Sequence, residues 1–223
     1  MKNDFQARIE EWKNFLFIYK FALDEINTKL TILNDEFQFV HQHNPIEHVK
    51  SRIKSPESIM AKLQRKGLEV TTDNVHENIN DIAGVRVTCS FTNDIYRIYD
   101  MIKNQDDIRL IDVKDYVKNP KPNGYKSLHL IVEIPVFLSK GPEHVRVEIQ
   151  IRTIAMDFWA SLEHKIYYKF EGEIPGNLSN ELKEAADIVH YLDAKMMRIK
   201  DEVNEFKEHE KSSEELLHTG GLS

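Results

Sequence analysis

The chain has 223 residues, a formal net charge of -7 at pH 7 and a mean hydropathy of -0.50. That length holds one domain with extensions, or two small ones, and buries a core without covalent staples. The single cysteine, Cys89, excludes an internal disulfide, the acidic balance argues against coating nucleic acid by bulk charge, and no apolar run approaches the roughly 20 residues of a membrane span.

The first residues carry acid early and lack an apolar core, so no export signal and a cytoplasmic location are expected. From residue 5 to 40, Phe5, Ile9, Trp12, Leu16, Tyr19, Leu23, Ile26, Leu30, Leu33, Phe37 and Val40 step by four and three. This spacing predicts a long helix with a heptad-like stripe, packed on the domain body or on another subunit. Phe15, Phe17, Ile18, Phe21, Ala22 and Ile32 widen the stripe. Asn44-Pro45 ends it. Ser55 as N-cap, Pro56 in the first turn and Gly67 past the end predict a short helix over 59–66. Residues 85–91 alternate and are β-branched, which predicts a strand, followed by a helix over 92–105 with Ile95, Ile98, Tyr99 and Ile102 on one face. Further strands are expected at 108–116, 127–137 and 145–152, with a loop at 117–126 and a turn at Gly141-Pro142. The last two strands are close enough for an antiparallel hairpin. Thr153 caps a helix to about residue 170. A final helix runs from about residue 178 past Phe206, with Val189, Leu192, Met196, Ile199, Val203 and Phe206 in a second stripe. The last dozen residues are expected to fray.

Three segments concentrate the chemistry. Lys50, Arg52, Lys54, Lys62, Arg65 and Lys66 crowd one stretch, with Ser55 and Ser58 at a helix N-terminus that favours anions. The same stretch reads equally as a solvated cationic face. In Asp81-Ile82-Ala83-Gly84-Val85-Arg86 an acid precedes a strand and a base lies inside it, which suits a paired or metal-bound site, or else a turn cap beside an exposed arginine. In the run from Val145 to Arg152, the polar residues Arg146, Glu148, Gln150 and Arg152 share one strand face. That face is either solvent-exposed or a cleft floor on which Asp81 and Glu148 share a divalent cation. Within Asn119-Pro-Lys-Pro-Asn-Gly-Tyr-Lys-Ser-Leu-His129, the exposed Tyr125 between Lys121 and Lys126 suits a nucleobase flanked by phosphates, or packs on the sheet. The loop lacks the glycine that a Walker A sequence needs. His41, His43 and His48 match no zinc spacing. His164, Trp12, Trp159 and Cys89 read as packing residues.

Together and in this order, the stretch from His48 to Lys66, the Asp81 segment, the 119–129 loop and Glu148-Ile-Gln-Ile-Arg-Thr-Ile-Ala-Met-Asp-Phe-Trp-Ala160 resemble the small alarmone synthetases. These are the stand-alone synthetase members of the RelA/SpoT-homologue family, and the likeness is greatest to the RelP branch. The resemblance covers roughly residues 10 to 200. It implies an α+β fold, a mixed β-sheet core flanked by helices (nucleotidyltransferase-like synthetase fold) with long N- and C-terminal helices. Residues 1–43 would be an N-terminal helix for packing or oligomerisation, 44–172 the synthetase core, and 173–223 the C-terminal helix and acidic tail. The implied activity is that of a GTP diphosphokinase of the stringent response. The β,γ-pyrophosphoryl group of ATP passes to the 3′-hydroxyl of GDP or GTP, giving AMP and ppGpp or pppGpp, with Mg²⁺ as cofactor and a homotetramer as assembly.

By position, the resemblance implies that Asp81 is a Mg²⁺ ligand and that Glu148 binds metal and orients or deprotonates the attacking hydroxyl. Arg52 and Arg86 would sandwich the adenine, and Lys54, Ser58, Lys62 and Arg65 would hold the ATP phosphates. Tyr125 would stack on guanine. Lys114, Lys121, Asn123 and His129 would meet the acceptor, Gln150 would line the site, and Asp157 would accept from the guanine edge. No His-Asp pair occurs in the chain, so the family's hydrolase centre is expected to be absent, and at this length no ribosome-sensing domain is expected either. Two other functions compete. An RNA-extending nucleotidyltransferase would need an Asp-x-Asp pair on a strand, which is lacking. A non-catalytic regulator would use the basic stretch and Tyr125 on single-stranded RNA, which also stands as a possible regulator of the enzyme.

Overall fold

The computed structural model describes residues 2–41, 43–169 and 176–219, with side chains at 12, 15–41, 43–166 and 176–207. Helix α1 (Lys2–His41) takes up the first stripe. Tyr19, Ala22, Leu23, Ile26 and Leu30 are buried in the main core, and Trp12, Phe15, Leu16 and Ile18 pack at its margin. The middle of the stripe therefore lies on the domain body. Phe5 and Ile9 lie outside the described side chains.

A five-stranded sheet forms the centre, in the order β1 (His48–Ile53), β2 (Ala83–Cys89), β5 (Gly141–Thr153), β4 (Leu128–Leu138), β3 (Arg109–Asp115). Strands β2 and β5 run parallel and the other neighbours antiparallel, so the sheet is mixed as expected. Strands β4 and β5 form the expected hairpin, but a tighter one: β5 begins at Gly141, inside the segment expected to turn. Strand β2 begins two residues before the expected position and ends two earlier, because Ala83 and Gly84 already pair with Ile53 and Arg52.

Period-two burial gives the sheet two faces. Leu128, Leu130, Val132, Ile134, Val145, Val147, Ile149 and Ile151 enter the core together with Tyr19, Leu23, Ile26 and Leu30 of α1. Helix α2 (Pro56–Arg65) starts at Ser55, whose hydroxyl accepts from Ser58 N, and ends before Gly67, whose φ is 68°. Helix α4 (Thr92–Lys103) buries Ile95, Ile98 and Ile102. Two elements were not expected. Strand β1 is exposed at every position, and α3 (Thr72–Asn78) has one buried apolar residue, Val75. Helix α5 (Ile154–Lys169) follows β5, with Thr153 Oγ1 accepting from Met156 N. Helix α6 (Gly176–Thr219) packs on α5 around Trp159, Ala160 and Ala186. It runs into the segment expected to fray, which it carries as helix to Thr219.

Candidate active site

The polar face of the sheet places most of the expected residues side by side. Register pairs Lys50 with Arg86, Arg86 with Gln150, Gln150 with His129, and His129 with Lys114. This row crosses all five strands, roughly 19 Å at the usual strand spacing. One step along, Arg52 pairs with Gly84 and Gly84 with Glu148. Gly84 has no side chain to fill the face, and a Cβ there would lie 3.7 Å from Arg52 Cγ. The gap forms a cavity of about 240 Å³ lined by Arg52, Gly84, Arg86, Glu148 and Gln150 among others. A second cavity of about 380 Å³ shares Arg52, Arg86 and Gln150 and adds Tyr125, Arg152 and the Ala160–Lys165 side of α5. Two adjoining cavities with common walls suit two small ligands that react with one another.

Asp81 lies two residues before β2, within reach of Lys54 ahead of α2 and Lys62 in its last turn. Lys54 Nζ donates to its Oδ2 at 2.9 Å and Lys62 Nζ to its Oδ1 at 2.8 Å. Burial disfavours the charged carboxylate, but the bonds and charges of Lys62 and Lys54 outweigh it and hold the Asp81 carboxyl below its ordinary value. The expected phosphate-binding lysines and the expected metal ligand thus meet at one point. Ser58 is exposed in the first turn of α2 and bonds to Ser55. Arg65 is exposed in its last turn.

Glu148 is held at both oxygens. Gln150 Nε2 donates to Oε2 at 2.9 Å and His129 Nδ1 lies 3.5 Å from Oε1. Burial again raises the carboxyl, and the His129 and Gln150 bonds overcome it, so Glu148 stays below the usual carboxylate range. Among the described residues no group of three or more His, Cys, Asp or Glu is placed to hold a metal. Two carboxylates are nevertheless what Mg²⁺ takes from a protein when nucleotide phosphates complete its shell.

Tyr125 departs from expectation. It is half-buried rather than exposed, and burial pushes its hydroxyl pKa up against the pull of Arg152. Its hydroxyl lies 2.7 Å from His129 Nε2 and 2.6 Å from Arg152 Nη2, and its ring meets Tyr116 edge-on. Lys121 Nζ stands 4.7 Å from the ring centre. Lys126 faces α6 instead, where its charge acts on Asp187, His190 and Asp193. Asn123 accepts from Tyr125 N and donates to Glu163, which ties the loop to α5. Lys114 is exposed beside Asp112, 3.5 Å away. Asp157, expected to meet a guanine edge, receives Arg86 Nη1 and Arg152 Nη1 at 3.2 Å each.

Arg152 was not singled out as a site residue. It is buried, with donors directed at Ser127, Tyr125, Gln150 and Asp157. Its one sequence signal was its place on the polar face with Glu148 and Gln150. Of the remaining candidates, His43 bonds to the buried Asp94, Trp159 and Cys89 are buried as expected, and His164 is exposed rather than packed.

The family described as "Region found in RelA / SpoT proteins" matches residues 51–173. GTP pyrophosphokinase YwaC of Bacillus subtilis (strain 168) is 58% identical over 202 residues, covering 91% of this chain and 96% of its own length. YjbM of the same organism, also a GTP pyrophosphokinase, is 37% identical over 92% of this chain and 98% of its own. The crystal structure of small alarmone synthetase 2 from B. subtilis superposes with a TM-score of 0.79 at 58% identity, over 86% of this chain and 99% of that one. Small alarmone synthetase 1 from B. subtilis, bound to its product pppGpp, gives 0.80 at 37% identity over 87% and 98%. The same synthetase bound to AMPCPP gives 0.76 at 36% identity over 88% and 99%.

Proposed function

The chain belongs to the RelA/SpoT family and is a GTP pyrophosphokinase of the small alarmone synthetase kind, and from that premise we propose how its two cavities divide the reaction. The cavity between Arg52 and Arg86 takes the adenine of ATP, with one guanidinium on each side of the Gly84 gap. Lys54 and Lys62, with Ser58 and Arg65 along α2, take the phosphates. The neighbouring cavity takes GDP or GTP, its guanine on Tyr125, with Asn123 fixing the loop, Lys114 and Lys121 toward the phosphates, and His129 between Tyr125 and Glu148. Asp157 keeps Arg86 and Arg152 in place more than it reads the base, since both guanidiniums already occupy it.

The reaction follows from this placement. The ribose 3′-oxygen attacks the β-phosphorus of ATP and the bond to the bridging oxygen of the α-phosphate breaks. AMP departs with that oxygen, and the hydroxyl proton passes to Glu148. Such a transfer needs positioning and charge neutralisation more than covalent help. The cations around Asp81 supply the second in an otherwise acidic protein. A Mg²⁺ held by Asp81 and Glu148 would neutralise charge on the transferring group. Glu148 itself is kept ionised by His129 and Gln150, so it meets the hydroxyl as an acceptor. With no His-Asp pair in the sequence, the reading is synthesis without hydrolysis.

The observation that carries the proposal is Glu148 in the wall of the arginine-walled cavity, one oxygen bonded to Gln150, which also lines the Tyr125 cavity, and the other 3.5 Å from His129. Its test is transfer of label from γ-³²P-ATP to GDP or GTP in the presence of Mg²⁺. Glu148→Gln should reduce turnover by about 10²–10³, the loss seen when one preorganised electrostatic group is removed. Wild-type turnover in that variant would overturn the assignment. We also propose a cytoplasmic homotetramer, supported by the exposed apolar stripe on α6. No helix of the described residues is long and apolar enough to cross a membrane. RNA as a regulator rests on the exposed cations Lys50, Arg52, Arg65 and Lys66 of the basic stretch, and a mobility shift with single-stranded RNA tests it.

A further inference from the structure

Five side chains on the polar face close into a ring. Glu148 Oε2 accepts from Gln150 Nε2 at 2.9 Å, and Gln150 Oε1 accepts from Arg152 Nη2 at 2.8 Å. The same Arg152 Nη2 donates to the Tyr125 hydroxyl at 2.6 Å, that hydroxyl meets His129 Nε2 at 2.7 Å, and His129 Nδ1 returns to Glu148 Oε1 at 3.5 Å. One set of proton positions satisfies the four hydrogen bonds and suits the 3.5 Å contact that closes the ring. Arg152 Nη2 spends its two hydrogens on Tyr125 and Gln150. The Tyr125 hydroxyl accepts from Arg152 and donates to His129 Nε2, which leaves the His129 hydrogen on Nδ1, facing Glu148.

The ring is anchored from behind. Arg152 is 4% exposed, and its Nε donates to the buried Ser127. Planar guanidinium geometry then fixes where Nη2 points. The tyrosine whose ring would offer the acceptor's stacking surface is thus connected to both oxygens of Glu148, through His129 on one side and through Arg152 and Gln150 on the other.

We propose that the Tyr125 hydroxyl is a positioning group for the transfer step: it locks His129 and Arg152, and through them the orientation of Glu148, so that the stacking platform and the carboxylate form one rigid unit. This rests on the assignment of Glu148 above and adds to it a role for an atom that touches neither reacting group. Stacking needs the ring of Tyr125. Aiming needs its hydroxyl. The two separate in Tyr125→Phe.

The experiment measures steady-state kinetics of pyrophosphoryl transfer, with acceptor varied at saturating ATP, for Tyr125→Phe, Gln150→Leu, their combination and Glu148→Gln. Tyr125→Phe should lose about tenfold in kcat, the size expected for one lost bond in a charged network, with acceptor KM within about twofold of wild type. Gln150→Leu cuts the other arm of the ring and should lose kcat similarly. The combination should lose distinctly less than the product of the two, because both act on one carboxylate. Wild-type kcat in Tyr125→Phe, or loss expressed only in KM, would overturn the proposal, as would multiplicative losses in the combination. Glu148→Gln separates the two levels. Loss there beside wild-type kcat in Tyr125→Phe overturns the ring and keeps the catalytic reading. Full turnover in Glu148→Gln overturns both.

Discussion

Asp81 is covered by two ammonium groups, 2.8 and 2.9 Å from its oxygens. A metal ion reaching this carboxylate has to displace them, and the natural displacing agent is a triphosphate, which gives the lysines another anion to bind. The expected consequence is that the protein binds a divalent ion weakly without nucleotide. In a Lys54→Met/Lys62→Met variant the carboxylate is bare, so Mn²⁺ binding followed by electron paramagnetic resonance should tighten in the absence of nucleotide. Use of ATP should weaken by about tenfold or more in kcat/KM, since each lost contact to a charged phosphate is worth about 1.5–3 kcal/mol. Unchanged or weaker Mn²⁺ binding in the variant would remove this account. At this scale the sequence was legible where residue type limits chemistry. Asp81, Lys54 and Lys62 could be read from the basic stretch and the acid before a strand, and they meet. Arg152 could not. Alternation places it on the polar face, but its burial depends on Tyr125 and Ser127 of the segment before β4 and on Asp157 of α5, which alternation within β5 does not report.

Elements hold these residues in register, and the acceptor loop shows how narrowly. Gly124 has a φ of 86°, in the left-handed region, and a Cβ added there would lie 2.5 Å from Ala186 Cβ on α6. The loop that carries Tyr125 is thereby seated on α6. Gly124→Ala should force it off its seat and raise the acceptor KM several-fold, with binding of an ATP analogue retained. Adding Ala186→Gly should recover part of the loss and leave the part due to backbone strain. An unchanged acceptor KM in Gly124→Ala would show that the seat has no role. The elements missed in the sequence were those with no periodic burial to report. Strand β1 is exposed at all its positions, its order coming from backbone pairing with β2, and α3 offers only Val75 to the core. Strands β4 and β5, with strict alternation, could be read within a few residues of their observed limits. The hairpin start was misplaced because Gly141, at a φ of 124°, extends the ladder rather than turning it.

Among the described residues, helix α6 carries an apolar stripe that the chain's own packing does not cover. Helix α6 spans 44 residues, roughly 66 Å at the usual rise, which exceeds the length of the longest strand. Its first half seats the acceptor loop and α5 through Ala186, Trp159 and Asp193. Beyond that, Leu192, Met196, Ile199, Val203 and Phe206 step by four and three and are all exposed, Phe206 at 72%. A seam with coiled-coil spacing is stable when another helix covers it, and a second copy of this chain supplies the same spacing. Light scattering of the wild type should give four times 26.2 kDa. Met196→Asp with Val203→Asp should give a smaller particle, because each buried charge in such a seam disfavours association by more than the aliphatic contact it replaces. A wild-type monomer would remove the tetramer, and a tetrameric double variant would move the interface elsewhere. Both cavities and the Glu148 ring are built within one chain, so the dissociated variant should keep measurable transfer activity. Its activity relative to wild type then shows how much of the catalytic rate depends on assembly.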